Sequence, residues 1–268
     1  TERNMANSDT YYRDHWVEVD AERLETYEKI FAWSPAMEPL IAPAGFAPGQ
    51  VVVDYGCGPG HMCLELARRV GPHGHVHGVD INEEFVHLAR QRAEAEGFSD
   101  RITVSQLSDG RLPFDDASID RVLCKNVLEY VDDPLASLQE AHRVLRPGGR
   151  MHASDSDWGF LIAEPLAPER LAALMAAASH AFKTPLIGRK LYGLCRSAGY
   201  AEIEIAISPV VDTKGHFAGI LNNMATYARD AGTLPAAEID EIEAAIDGAI
   251  DDGTYLFVLP KFLVTATV

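Results

Sequence analysis

Between residues 50 and 155 the apolar positions switch repeatedly between a strand period and a helix period. Val51–Tyr55 reads Val-Val-Val-Asp-Tyr and stops at glycines, which predicts a strand. His61–Val70 gathers Met62, Leu64, Leu66, Ala67 and Val70 toward one face and predicts a helix. Gly74–Val79 predicts a second strand. Glu83–Gly97 predicts a second helix, with Gly97 as its stop. Ile102–Gln106 and Ile119–Cys124 follow as strands. Pro134–Leu145 is expected to be a helix with proline in its first turn, and Arg150–Ser154 a fifth strand. Parallel strands need crossovers of this length, so the alternation predicts a parallel sheet with helices on both faces.

After residue 156 the pattern changes. Leu166–Phe182 and Gly188–Gly199 read as helices, Glu202–Ser208 as a strand, Phe217–Ala231 and Ala236–Ile250 as two more helices, and Tyr255–Val268 as a final β run. No internal repeat or low-complexity linker marks a boundary. One domain over 1–268 is therefore expected, with an N-terminal helical lid (1–49), an α/β core (50–155), a helical insertion (156–200) and C-terminal strands and helices (201–268).

Charge narrows the function. The formal net charge is −17. Arg68-Arg69, Arg90 with Arg92, and Arg189-Lys190 are small groups rather than the basic stripe that neutralises phosphates, so nucleic acid is not an expected partner. No apolar run is long enough to cross a membrane, and an acidic surface is repelled by anionic lipid. Thr1–Asp20 lacks the basic start and apolar stretch of a secretion signal, so a cytoplasmic location is expected. Cys57, Cys63, Cys124 and Cys195 form no C-x-x-C pair. His75 and His77 would share a strand face near His73, but no cysteine or carboxylate completes a four-ligand set, so no metal is expected. The acidic stretch Asp230–Asp252 contains no Lys or Arg and reads as solvated helix surface. Nothing in these patterns fixes a homo-oligomer or excludes one.

The chemistry starts at Val52-Val53-Asp54-Tyr55-Gly56-Cys57-Gly58-Pro59-Gly60. Glycines at a strand end let the backbone turn sharply and approach a ligand closely. The following helix offers unpaired N–H groups and a positive dipole end. Asp80 ends the next strand, where a carboxylate can accept hydrogen bonds from ribose hydroxyls. That much suits any adenosine cofactor, including NAD. The spacing separates them: a dinucleotide loop is G-x-G-x-x-G, whereas this one is G-x-G-x-G with His61 in the sixth position.

With these residues in place, Gln50–Asp155 resembles the class I S-adenosylmethionine-dependent methyltransferases, the broad group holding the ubiquinone and menaquinone C-methyltransferases and many natural-product N- and O-methyltransferases. The resemblance rests on Asp54-Tyr55-Gly56-Cys57-Gly58-Pro59-Gly60, on Val79-Asp80-Ile81-Asn82, and on Leu107-Ser108-Asp109-Gly110 with Leu112-Pro113-Phe114. It also rests on Asn126-Val127-Leu128-Glu129-Tyr130 and Leu145-Arg146-Pro147-Gly148-Gly149. Tyr130 departs from the family's usual histidine. The resemblance implies a Rossmann-like α/β fold with a seven-stranded sheet, mostly parallel with an antiparallel last strand, plus the helical insertion. It implies S-adenosyl-L-methionine as cofactor, with Gly56, Cys57, Gly58 and Gly60 along its methionine part and Asp54 holding the loop or the amino group. Asp80 would bind the ribose and Ile81 would cover adenine. Asp109 would bind the exocyclic amine, with Gly110 beside it, and Asn126 would lie near the methionine end.

Methyl transfer to an N, O or C atom of a small molecule is the expected reaction. Ligands in this fold lie beyond the carboxyl ends of the strands. Three segments reach that edge. Tyr11, Tyr12 and Trp16 could form an aromatic lid over the sulfonium. Asp155, Asp157 and Trp158 follow the fifth strand. His180, Lys183, Tyr192, Asn222, Asn223 and Tyr227 lie in the later helices. Tyr11, Trp16, Trp158 and Tyr192 are the candidates for substrate contact. Tyr12, Asp157 and His180, with Lys125, are the candidates for a general base. Two rivals remain at this point: an NAD-dependent oxidoreductase, and a non-catalytic cofactor-binding protein with an acidic partner surface.

Overall fold

The computed structural model describes residues 9–17, 19, 23–24, 27–28 and 31–268. The rest of the expected lid, residues 1–8, 18, 20–22, 25–26 and 29–30, lies outside the described residues. The strands are β1 (Val51–Tyr55), β2 (His75–Asp80), β3 (Ile102–Gln106), β4 (Ile119–Lys125), β5 (Leu145–Ser156), β6 (Ile162–Glu164), β7 (Ile203–Ser208), β8 (Val211–Asp212), β9 (Leu256–Val258) and β10 (Lys261–Thr267). The helices are α1 (Tyr11–Val17), α2 (Glu38–Ile41), α3 (His61–Val70), α4 (Glu83–Ala95), α5 (Pro134–Val144), α6 (Pro168–Ala177), α7 (Ile187–Ala198), α8 (Ala218–Ala231) and α9 (Ala236–Asp251).

Seven strands form the main sheet in the order β3-β2-β1-β4-β5-β10-β7. β1 to β5 run parallel, and β10 is antiparallel to both of its neighbours. The parallel part is the sheet expected from the alternating pattern, and the seven strands with an antiparallel last one are what the resemblance implies. The central strands are buried on both faces, as covered parallel sheets require. One face packs Val53, Val122, Leu138 and Leu191 beneath α5 and α7. The other packs Val52, Leu66, Val76 and Ala89 beneath α3 and α4. A third apolar cluster joins α6, α8, α9 and β9 through Leu174, Leu221, Ile242 and Phe257.

The second half departs from the sequence reading at two places. The β run Tyr255–Val268 is not one strand. Pro260 has no N–H for a ladder and divides it into β9, which pairs with β6 and β8 in a separate three-stranded sheet, and β10, which enters the main sheet. The expected helix Leu166–Phe182 is shorter: α6 starts with Pro168 at its first turn, and a 3₁₀ turn at Ser179–Ala181 follows it. β6 precedes α6, inside the stretch 156–200 expected as a helical insertion.

Helix starts carry their own chemistry. The Asn82 side chain accepts from Phe85 N–H (3.0 Å) and caps α4, while its Nδ2 donates to the carbonyl of Trp16 (2.7 Å). One residue thus fastens α1 above the turn that follows β2. The Arg13 guanidinium donates to Asp132 (3.2 Å) and holds the other side of α1 to the loop after β4.

Candidate active site

β1 delivers the chain into the glycine loop. Gly56, Gly58 and Gly60 have φ of +76°, +52° and +86°, a region where a side chain is strained. Val79 O of β2 accepts from Gly56 N–H (2.8 Å) and Cys57 N–H (3.0 Å). Asp80 then braces the loop from the side: its Oδ2 accepts from Gly58 N–H (2.8 Å) and its Oδ1 from Asn82 N–H (3.0 Å). Burial holds the Asp80 carboxyl above its ordinary pKa, and these backbone donors act against that shift.

A cavity of about 930 Å³ opens at the carboxyl ends of β1, β2 and β4. One half is lined by Asp54, Gly56, Cys57, Gly58, Asp80, Ile81, Asp109, Gly110 and Asn126. The resemblance implies ten cofactor positions, and the fold brings these nine to one wall. Gly60 differs. It sits where α3 begins, and a Cβ there would meet the Ala89 Cβ of α4 at 2.7 Å, so its lack of a side chain serves loop–helix packing. His61, given no role from sequence, lines the cavity and pairs with Glu28 (3.1 Å).

The other half is aromatic and apolar. Trp16, Tyr27, Tyr130, Trp158 and Tyr227 line it, with Ile220, Met224 and Leu259, while Phe31 stands against Gly58. Trp16 stacks on Tyr27 at 5.1 Å between centroids and meets Tyr130 edge-on at 5.0 Å. Trp158 packs on Phe182 at 4.8 Å and donates its Nε1–H to Glu129 Oε2 (2.6 Å). Trp16, Trp158, Asn223 and Tyr227 thus reach the space expected of them.

Of the remaining candidates Lys125 lines this cavity, whereas Tyr11, Tyr12, Asp157, His180 and Tyr192 do not. Asp157 is fully buried, and both its oxygens are occupied: Arg189 Nε donates to Oδ2 (2.6 Å), and Arg189 Nη2 and Gly159 N–H donate to Oδ1 (2.7 and 3.1 Å). This corrects the expectation of a base there to an ion pair that ties β5 to α7. The Tyr12 hydroxyl donates to Asp132, and that bond together with burial pushes its pKa up to about 12. His180 bonds the Ala177 carbonyl (3.2 Å) and packs on Tyr11 (4.5 Å between centroids), behind the aromatic wall. Tyr11 donates to Asp230 (2.9 Å). Tyr192 lies on the outer side of α7 with 43% of its surface exposed. Of the four candidates for a general base, Tyr12, Asp157 and His180 do not line the cavity, and each is engaged by another group: Asp132, Arg189 and the Ala177 carbonyl.

Two groups given no role from sequence line the cavity instead. Glu129 is buried at the cavity floor. Lys261, the first residue of β10, donates to Asn126 Oδ1 (2.6 Å) and Ser156 Oγ (2.5 Å). Asn126 has φ of +56° and gives its own N–H to Ser154 O, so its side chain rather than its backbone is presented to the lysine. Lys125 lies between Asp54 and this group; burial and then Lys261 lower its pKa.

Asp54 supports a pH prediction. Burial raises its carboxyl from 3.8 to about 6, opposed by the Cys63 thiol, which donates at 3.3 Å, and by Lys125. The folded state then binds this proton more tightly than the unfolded chain does. The stability it contributes is full below pH 3.8 and is lost as pH rises toward about 6. The loss is on the order of 3 kcal/mol. Asp54→Asn is expected to remove that slope, leaving a variant at least as stable as the parent at pH 7. Thermal unfolding of both proteins from pH 4 to 7 checks this, and parallel curves would refute it.

These features define a class: a doubly wound sheet whose glycine loop, β2 carboxylate and β3 and β4 turns converge on one cavity. A family model described as a methyltransferase domain matches residues 47–199, and the chain belongs to that family. It is 37% identical over 155 residues to an uncharacterized 37.1 kDa protein in transposon Tn4556 of Streptomyces fradiae, a match covering 58% of this chain and 44% of that one. It is 36% identical over 118 residues to the demethylmenaquinone methyltransferase of Symbiobacterium thermophilum, covering 44% and 47%. The chain thus spans less than half the length of these curated relatives. Among solved structures, a phosphoethanolamine N-methyltransferase 2 from Haemonchus contortus, bound to S-adenosyl-L-methionine, shares the fold. Its TM-score is 0.64 at 16% identity, over 96% of this chain and 59% of that one.

Proposed function

We propose that this chain transfers the methyl group of S-adenosylmethionine to a small acceptor with a largely apolar body, acting as a single domain in the cytoplasm. The observation that carries the reading is the division of one cavity. Nine positions expected to hold the cofactor line one half, and an aromatic wall lines the other. The loop fits the cofactor. Gly58 lines the cavity, and a Cβ there would fill the space between its backbone and the Phe31 ring, 3.7 Å away. Asp80 spends one bond per oxygen on the loop and keeps lone pairs for two hydroxyls. S-adenosylmethionine, when bound, supplies an activated methyl group on a sulfonium.

The chain's own contribution is alignment and exclusion of water. Trp16, Tyr27 and Tyr130 present ring faces and edges over the space between the two halves, where a cation is attracted by a ring face. Holding the acceptor in line against the methyl group converts a bimolecular step into an intramolecular one, which is worth about 7–11 kcal/mol in favourable cases. The NAD reading is not favoured, because the third dinucleotide glycine is absent and His61 occupies its position.

Calorimetry tests the proposal. S-adenosylhomocysteine is expected to bind with a Kd of roughly tens of micromolar or tighter, about −6 to −7 kcal/mol, with no heat from NADH. Release of S-adenosylhomocysteine from S-adenosylmethionine with a panel of small phenols and amines separates an enzyme from a binding protein. Absence of binding by either sulfur compound overturns the reading.

A further inference from the structure

We propose that Lys261 is a catalytic residue of this site, the group that receives the proton of the methyl acceptor, with Glu129 and Asp155 behind it as counter-charges. The inference rests on the methyl-transfer reading and goes beyond it by naming the base.

An amine has two N–H donors and one lone pair, and an ammonium has three N–H donors. Lys261 Nζ makes two hydrogen bonds, to Asn126 Oδ1 and Ser156 Oγ. The amide oxygen can only accept, and the hydroxyl can accept as well. The third position on the nitrogen remains for the cavity that Lys261 lines. It is a lone pair in the neutral amine and an N–H in the ammonium, which is what a base needs before and after proton transfer.

Location selects Lys261 among the titratable groups of the wall. It stands beside Ser156, Trp158 and Leu259 on the aromatic half, yet one hydrogen bond from Asn126 on the cofactor half. Three other titratable groups of the wall are engaged at one atom or more. His61 is paired with Glu28, one oxygen of Glu129 is taken by Trp158, and Asp54 accepts from Cys63. Lys125 lies on the Asp54 side, over the Phe31 ring at 6.0 Å.

The charged groups facing Lys261 are Glu129 from the loop after β4, Asp155 from β5 and Lys125 from β4. Burial lowers the Lys261 pKa from the ordinary lysine value, while Glu129 and Asp155 act the other way. Burial raises both acids, and Asp155 Oδ1 has no hydrogen-bond partner among the described residues. A neutral amine is thereby accessible, and the ammonium it becomes is stabilised by two nearby carboxyl groups. In the step itself the acceptor's lone pair forms a bond to the methyl carbon. The carbon–sulfur bond breaks with its electron pair kept by sulfur. The acceptor's proton passes to Lys261 Nζ, and solvent later removes it.

The test uses the full chain saturated with S-adenosylhomocysteine and labelled with [ε-¹³C]lysine. The resonance absent from Lys261→Met is expected to titrate below an exposed lysine, and Glu129→Gln to move its midpoint further down. In rate assays with the phenol and amine panel, Lys261→Met is expected to lose at least about 100-fold in kcat, with the KM for S-adenosylmethionine within about threefold. Lys261→Arg keeps the positive charge but cannot take up a proton, so it is expected to be as inactive as the methionine variant. A merely structural cation would be rescued by arginine. A Lys261 resonance titrating at or above an exposed lysine, or wild-type rates in Lys261→Arg, overturns the proposal. Those failures are distinct from loss of the underlying reading, which absence of S-adenosylhomocysteine binding by the wild type would show.

Discussion

Asp80→Ala is expected to weaken S-adenosylhomocysteine binding by about 100-fold or more. The carboxylate has two tasks at one place. It accepts from Gly58 N–H and Asn82 N–H, and so fixes the glycine loop relative to the cap of α4. It also faces the cavity, where it would accept from the ribose. Alanine removes all of these acceptors. A buried donor left without a partner costs about 1–3 kcal/mol, and a hydrogen bond to a charged acceptor is worth a similar amount. A 100-fold change needs only about 3 kcal/mol. Asp80→Asn keeps one acceptor oxygen for the loop and is expected to lose less. Calorimetry on both variants, with circular dichroism to confirm a folded sheet, decides the point; alanine binding within threefold of the parent would contradict the role.

Gly56→Ala is expected to lower the Tm by about 5–10 °C. The Cβ it adds would lie 2.3 Å from Val127 Cγ2, far inside contact distance, and the backbone there has φ of +76°. Left-handed backbone costs a non-glycine residue about 1–2 kcal/mol, and overpacking a tight site costs about 1–3 kcal/mol. A chain of this size loses about 2–4 °C per kcal/mol. Gly58→Ala is the internal control. Its Cβ would meet only the Phe31 ring, at an ordinary contact distance of 3.7 Å, so backbone strain without overpacking acts on stability and the larger effect falls on ligand binding. Adding Val127→Ala to Gly56→Ala is expected to recover the steric part and leave the backbone part. A Gly56→Ala variant melting within 1 °C of the parent would refute the packing argument.

Part of the site was legible because its signals are local. Val51–Tyr55 and Asp80 end neighbouring strands, and the glycines follow a strand directly, so nine of ten named cofactor positions reached one wall. The tenth, Gly60, carried the same motif signal, but its Cβ direction depends on where α4 packs. Asp157 and His180 looked available because sequence shows a polar residue at a useful edge and not its partner. Arg189 lies 32 residues from Asp157 in the chain and consumes it. The small sheet went unread because strands of two or three residues carry no period, although Pro260 marked the break.

By itself, the sequence determined the sheet's alternation, the left-handed glycine turn and the acidic strand end. All three follow from short-range sterics and side-chain period. Only the tertiary structure decided which polar groups face the ligand. Lys261 and Asn126 are 135 residues apart and meet at 2.6 Å because β10 inserts antiparallel beside β5, opposite Ser156. No local pattern encodes that meeting, since a strand's neighbour is chosen by burial of the whole sheet and not by the residues at its end.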